Sequence, residues 1–164
     1  ANAKSLRSMF PALPSTIRHL DYGGGNGVLS QSLRESGWSS VSYDPFVDKN
    51  TCLEALGTFD LITAYEVFEH VPDVQMLMSE LSSVLADDGM VLFSTLLSDG
   101  EIHADQRLSW WYASPRNGHI SLFSQKSLAI LAFKGGFKHG SFSRGLHVLF
   151  KQVPPWASHL FRKG

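Results

Sequence analysis

A strand that runs into a spaced glycine turn and then a helix limits this chain more than any other feature. Ile17 to Tyr22 reads as the strand and Gly23-Gly24-Gly25-Asn26-Gly27 as the turn. Val28 to Ser36 reads as the helix, with Val28, Leu29 and Leu33 on one face and Gly37 closing it. Glycines let the turn adopt positive φ and let a ligand approach the main chain. The N-terminus of the helix that follows is electropositive. Together they form a nucleotide-binding arrangement, and the spacing says which kind. The dinucleotide pattern GxGxxG requires glycine where Val28 stands, and the short-chain dehydrogenase spacing requires it where Leu29 stands. No Lys-Ser/Thr pair follows, so the turn is not a P-loop. The pattern that fits is DxGxGxG, carried by Asp21, Gly23, Gly25 and Gly27.

The rest of the chain continues the alternation. Val41-Ser42-Tyr43 is a second strand that ends at Asp44, where Pro45 blocks extension. Phe59 to Ala64 is a third strand. Pro72 opens a helix with Val74, Leu77, Met78, Leu81 and Leu85 at helical spacing, and Asp87-Asp88-Gly89 ends it. Met90 to Leu97 is a strongly apolar strand. Ser124 caps a helix over Gln125 to Lys134, and Lys138 to Ser143 and His147 to Lys151 are two last strands. The strands are apolar runs rather than alternating ones, which suits a sheet buried on both faces. The expectation is an α/β, Rossmann-like, doubly wound, mostly parallel sheet. One domain is expected over residues 1–164, and the tail from Pro154 has no assignable role.

Composition removes several function classes. Apolar residues make up 43% and charged residues 18%, an ordinary globular balance. The net charge of −1 offers no basic field for nucleic acid or an anionic membrane. Cys52 is the single cysteine, which excludes an intrachain disulfide and a zinc-cysteine cluster. No apolar run is long enough to span a bilayer, and no signal peptide is legible. The expected setting is cytoplasmic, and the expected partner is a small-molecule acceptor. The chain begins without Met close to the glycine turn, and is read as a processed chain or an excised fragment.

The segment LDYGGGNG resembles motif I of class I S-adenosylmethionine (SAM)-dependent methyltransferases. The resemblance extends in family order through TFDLITAYEVFEHVPD, LADDGMVLFSTL and FSQKSLAILAFKGGF, from about Ile17 to Phe150. It implies that SAM is the cofactor. The glycine turn would pack against its methionyl part and Asp21 would engage its ammonium. Asp44 would accept from the ribose hydroxyls, Pro45 and Phe46 would border the adenine, and Tyr65 and Glu66 would lie beside the cofactor. As a strand-end turn residue, Asp44 is expected to be dispensable for folding. One departure stands out, because fourteen residues lie between Asp44 and Phe59, where the family fits a helix and a third strand. That region is expected to be abbreviated, with Asp48 and Thr51 as open candidates for the adenine amine.

Glu66-Val67-Phe68-Glu69-His70 places two carboxylates and an imidazole on one face of a helical turn. Such a set can hold a divalent cation. The ExxEH pattern resembles ubiquinone-biosynthesis O-methyltransferases and small-RNA 2′-O-methyltransferases. The second group implies a later histidine that completes a metal site, for which His119 is the candidate and His103 a less well placed one. The metal set is then Glu66, Glu69, His70 and His119. In metal-free relatives the same segment packs or hydrogen-bonds locally. His70, His119 and His103 are also the candidates for a general base. Trp110-Trp111-Tyr112 reads equally as a pocket wall or as core under a loop. The resulting function is methyl transfer to a small molecule, with hydroxyl oxygen favoured by ExxEH. A catalytically silent SAM-fold module and a nucleotide-dependent oxidoreductase are the rivals.

Overall fold

The computed structural model describes residues 2–161 and contains one six-stranded sheet in the order β2-β1-β3-β4-β6-β5. β1 (Arg18–Tyr22), β2 (Ser39–Tyr43), β3 (Phe59–Tyr65) and β4 (Leu85–Ser94) are parallel neighbours. β5 (Lys138–Ser143) and β6 (Leu146–Phe150) form an antiparallel pair, and β6 runs antiparallel to β4. The helices are α1 (Asn2–Met9), α2 (Val28–Arg34), α3 (Val74–Val84) and α4 (Gln125–Lys134). The α/β doubly wound expectation therefore holds.

Side-chain alternation along each strand divides the core in two. Leu20, Ile62, Val91 and Phe93 face α3 and α4, packing with Leu77, Leu81 and Leu128. Leu61, Met90 and Leu92 face α1 and α2, packing with Leu6 and Leu33. Both faces are covered, so β3 buries four consecutive residues, Leu61 to Ala64, without polar alternation apart from Thr63. The chain leaves β1 toward β2 on one side and returns as β3 on the other. The carboxyl ends of β1 and β3 therefore flank the switch point, where this fold binds ligands.

Residues 45–58 contain a turn and a 3-10 helix, Leu53–Leu56, in place of a strand. β2 is consequently the edge of the sheet. Arg18 holds this short connection, donating to Leu56 O at 2.9 Å and Thr58 O at 2.6 Å. The expected abbreviation is real and tied down.

Several local expectations are corrected. α3 is capped by Asp73, which accepts from Met76 N at 2.9 Å, rather than opened directly at Pro72. It ends at Val84 and the chain passes straight into β4. There Leu85 pairs with Phe59 and Met90 with Leu61 across a register shift. Gly89 permits the shift, because a Cβ there would stand 2.9 Å from Asp60 O. Val28 is 71% exposed, since the first helical residue points away from the sheet, and Leu33 carries the packing.

α1 is too short to declare itself by periodicity, yet Leu6 is fully buried. The tail has a role after all. Pro155–Phe161 forms a 3-10 helix whose Trp156 and His159 rings lie 5.7 and 6.1 Å from Phe10. His159 Nε2 also donates to Met9 O at 2.7 Å. The two ends of the described chain thus clamp each other, while residues 162–164 lie outside the described residues. Among the described residues, no helix is long and apolar enough to cross a membrane.

Candidate active site

The glycine turn follows β1 with Gly23, Gly25 and Gly27 at φ 72°, 54° and 72°, a region that L side chains rarely adopt. A Cβ on Gly23 would meet Val67 Cγ2 at 2.5 Å, whereas one on Gly25 would have nothing within 4 Å. The turn thus packs tightly toward β3 and is open at Gly25.

Asp44 does more than the sequence suggests. Its carboxylate accepts from Gly25 N at 3.0 Å and from Phe46 N at 2.8 Å, and the residue is 9% exposed. It pins the glycine turn to the end of β2, so its expected dispensability for folding is corrected. Each oxygen retains a further lone pair. Asp48 accepts from Asp44 N at 2.8 Å and serves as a local cap of this loop. Neither Asp48 nor Thr51 borders the hollow described next.

Above the turn lies a hollow of about 160 Å³ bordered by Gly23, Asp44, Pro45, Phe46, Glu66 and His70 among others. A larger open hollow of about 810 Å³ is bordered by Tyr65, Glu66, Ser94 and one side of α1. Glu66 belongs to both, so the two meet there. Tyr65 borders only the larger one. Among the described residues Glu66 is the one non-glycine with positive φ, 55°. Ser94 steadies it, accepting from Glu66 N at 2.8 Å and donating to Glu66 Oε1 at 2.8 Å. Backbone strain of this kind concentrates at functional sites.

Asp21 sits beneath the turn, 4% exposed, and accepts from Thr63 Oγ1 at 2.9 Å. Burial pushes its carboxyl up to about 6. The Thr63 bond opposes that rise, and the nearby Asp44 charge adds to it. A buried carboxylate with so little neutralisation is suited to a cationic partner.

Glu69, His70 and His119 converge, each offering a ligand atom within 4.8 Å of the other two. Glu66 is not in this set: its Oε1 accepts from Ser94 and its charge lies beside Glu69, and the four-residue expectation is corrected to three. Exposed His103 stands outside the cluster. The loop that carries His119 is laced to the turn after β3, where Ile120 N and Ser121 N donate to Glu69 O at 2.7 and 3.1 Å. His70 Nδ1 donates to Gly118 O at 3.0 Å and His119 Nδ1 to Tyr112 O at 2.6 Å. Both Nε2 atoms are left as acceptors. Glu69 is fully buried, with one oxygen accepting from the Tyr112 hydroxyl and Oε2 without any partner. Burial pushes its carboxyl up to about 7, the Tyr112 bond opposes the rise, and the adjacent Glu66 adds to it.

The aromatic segment divides between its two readings. Trp110 and Tyr112 are buried, while Trp111 is 66% exposed. Sequence reasoning missed Thr63 and Ser94 as site residues. Both are detectable only from strand register, Asp21 opposite Thr63 and Tyr65 opposite Ser94.

Comparison with known proteins agrees with this geometry. The methyltransferase domain family matches residues 1–139. A ubiquinone biosynthesis O-methyltransferase of Colwellia psychrerythraea is 30% identical over 100 residues, covering 47% of this chain and 41% of that protein. The chain spans less than half the length of such curated relatives. The N-terminal domain of EvdMO1 with S-adenosylhomocysteine (SAH) bound has a similar fold. Its TM-score is 0.55 at 18% identity, covering 90% of this chain and 77% of that one. A 1,6-didemethyltoxoflavin-N1-methyltransferase of Burkholderia thailandensis gives 0.59 at 19% identity, covering 90% and 75%. The chain belongs to the methyltransferase domain family.

Proposed function

We propose that this chain acts as one domain, in a cytoplasmic setting, that binds SAM over the glycine turn. It transfers the methyl group to a hydroxyl oxygen of a small-molecule acceptor. One observation carries the reading: the buried Asp21 carboxylate lies under a glycine turn that is open at Gly25 and flanked by Asp44. Asp21 pairs with the ammonium, and Gly23, Gly25 and Gly27 pack against the methionyl chain. Asp44 uses its remaining lone pairs on the ribose. Pro45 and the 80% exposed Phe46 border the adenine. Glu66 borders both hollows and Tyr65 the larger one, beside the cofactor.

SAM supplies a methyl group already activated on a sulfonium. The protein's task is alignment and removal of a proton. Bound SAM would give this methyl group to the acceptor oxygen and leave as SAH. The acceptor's proton passes to Nε2 of His119 or His70, both set as acceptors by their Nδ1 bonds. The choice of oxygen is supported by the names of the ubiquinone-biosynthesis relatives.

The same cluster fits a divalent ion. Glu69 Oε2 is buried without a partner beside two imidazole nitrogens whose rings are oriented by carbonyls, the usual support for a metal-binding histidine. Glu69, His70 and His119 would hold the ion, which would lower the acceptor hydroxyl's pKa.

The role of Asp21 gives the test. The ammonium pairs with the ionised carboxylate, whose pKa in the free protein is about 6. As pH falls through 6 the carboxyl becomes neutral and the pairing is lost. SAH affinity should therefore be level near pH 8 and drop below pH 6, approaching about tenfold per unit for one linked proton. Asp21→Asn should bind weakly throughout and show a flat profile. Calorimetric titration between pH 5 and 8 checks both, and a wild-type profile as flat as the variant's would reject the assignment.

A further inference from the structure

His19 is fully buried inside β1 and has no place in the reading so far. Its position is chemically odd. Leu61 and Leu92 lie on the same sheet face under Leu33 of α2, a setting in which an imidazole needs both nitrogens satisfied. Both are. Nδ1 lies 2.7 Å from Ser40 Oγ and Nε2 lies 3.0 Å from Thr63 Oγ1. Ser40 in turn meets Ser30 Oγ of α2 at 2.9 Å. Register explains the alignment, because His19 is opposite Ser40, Asp21 is opposite Thr63, and residues 19 and 21 share a face.

The directions of these bonds follow from the last acceptor. An ionised Asp21 can only accept, so Thr63 donates its single hydrogen there at 2.9 Å. Thr63 must then accept from Nε2–H of His19. A neutral imidazole has no second hydrogen, and burial keeps His19 neutral by lowering its pKa to about 3. Nδ1 is therefore the acceptor that faces the Ser40 hydroxyl. The two links nearest the carboxylate, His19 to Thr63 and Thr63 to Asp21, both donate toward Asp21, and such chains polarise cooperatively. Without the imidazole N–H, Thr63 is free to turn toward Leu20 O, 3.5 Å away.

We propose that His19 is a positioning residue for Asp21: through Thr63 it holds a hydroxyl donating to that carboxylate, and so strengthens recognition of the amino-acid end of the cofactor. The inference rests on the reading of Asp21 as the ammonium partner. It concerns one end of the ligand, which makes it separable from a general role in packing.

The test compares two ligands on the full chain. SAH carries the amino-acid end, and 5′-methylthioadenosine shares its adenosine and thioether but lacks that end. His19→Leu should weaken SAH binding by about fivefold, the usual scale for a lost neutral hydrogen bond. Methylthioadenosine should change by less than about twofold. His19→Gln, whose side-chain N–H can reach the Nε2 position, should restore most of the SAH affinity. Thr63→Val cuts the last link with nearly unchanged shape. It should reproduce the selective loss, and it decides the matter if His19→Leu does not fold. Equal weakening of both ligands in Thr63→Val, or an unchanged ratio between them, would overturn the proposal while leaving SAM binding standing. A wild-type protein that binds neither ligand would overturn both.

Discussion

Asp44→Ala is expected to weaken SAH binding at least tenfold and to destabilise the free protein by about 1–3 kcal/mol, the penalty for orphaned, largely buried donors. The two losses have separate origins. In the free protein the carboxylate accepts from Gly25 N and Phe46 N, and both lose their partner. In the complex the ribose hydroxyls lose a charged acceptor as well, which is worth more than a neutral one. Asp44→Asn keeps an oxygen and the size but loses the charge, so it should fall between wild type and alanine on both scales. Urea unfolding reads the stability change and calorimetry reads the affinity. Unchanged SAH affinity in Asp44→Ala would place the ribose elsewhere.

The second large effect concerns the cluster after β3. Protein stripped of metal and then dialysed against Mn²⁺ or Zn²⁺ should retain close to one equivalent, a mixed carboxylate–imidazole set selecting weakly among such ions. Glu69→Gln and His119→Ala should each lower that affinity by roughly tenfold or more, since losing even a supporting group costs about 10–100-fold. Glu66→Gln should have a much smaller effect, because Ser94 occupies that carboxylate. SAH binding should survive chelation, since Asp21 and the glycine turn are not members of the cluster. No retained ion, or losses of equal size from Glu66→Gln and Glu69→Gln, would leave the histidines as proton acceptors alone.

Much of this was legible in the sequence because the relevant signals are local. The glycine turn, the acid at the end of β2 and the cap at Ser124 are each set by a few adjacent residues. The abbreviated stretch between Asp44 and Phe59 could be counted directly. What stayed hidden depends on long-range packing. α1 offers one buried side chain, Leu6, to a face completed by the tail, so neither piece declares itself alone. The part Asp44 plays in holding the fold stayed hidden because its partner, Gly25 N, is nineteen positions away. Helical spacing put Glu66 with Glu69 and His70, but the chain at 66 turns with positive φ and Ser94 captures the carboxylate. Tyr112 read as a candidate wall or core residue. It is buried, and its carbonyl and hydroxyl orient His119 and Glu69.

The central claim, a SAM-type cofactor over the glycine turn, is tested most directly by thermal melting of the full chain with SAH and with NAD. A ligand that binds only the folded state, present at about 100 times its Kd, stabilises by about 2.7 kcal/mol. For a chain of this size that raises Tm by roughly 5–10 °C. The expected result is such a rise with SAH and none with NAD. A rise with NAD and none with SAH would contradict the account.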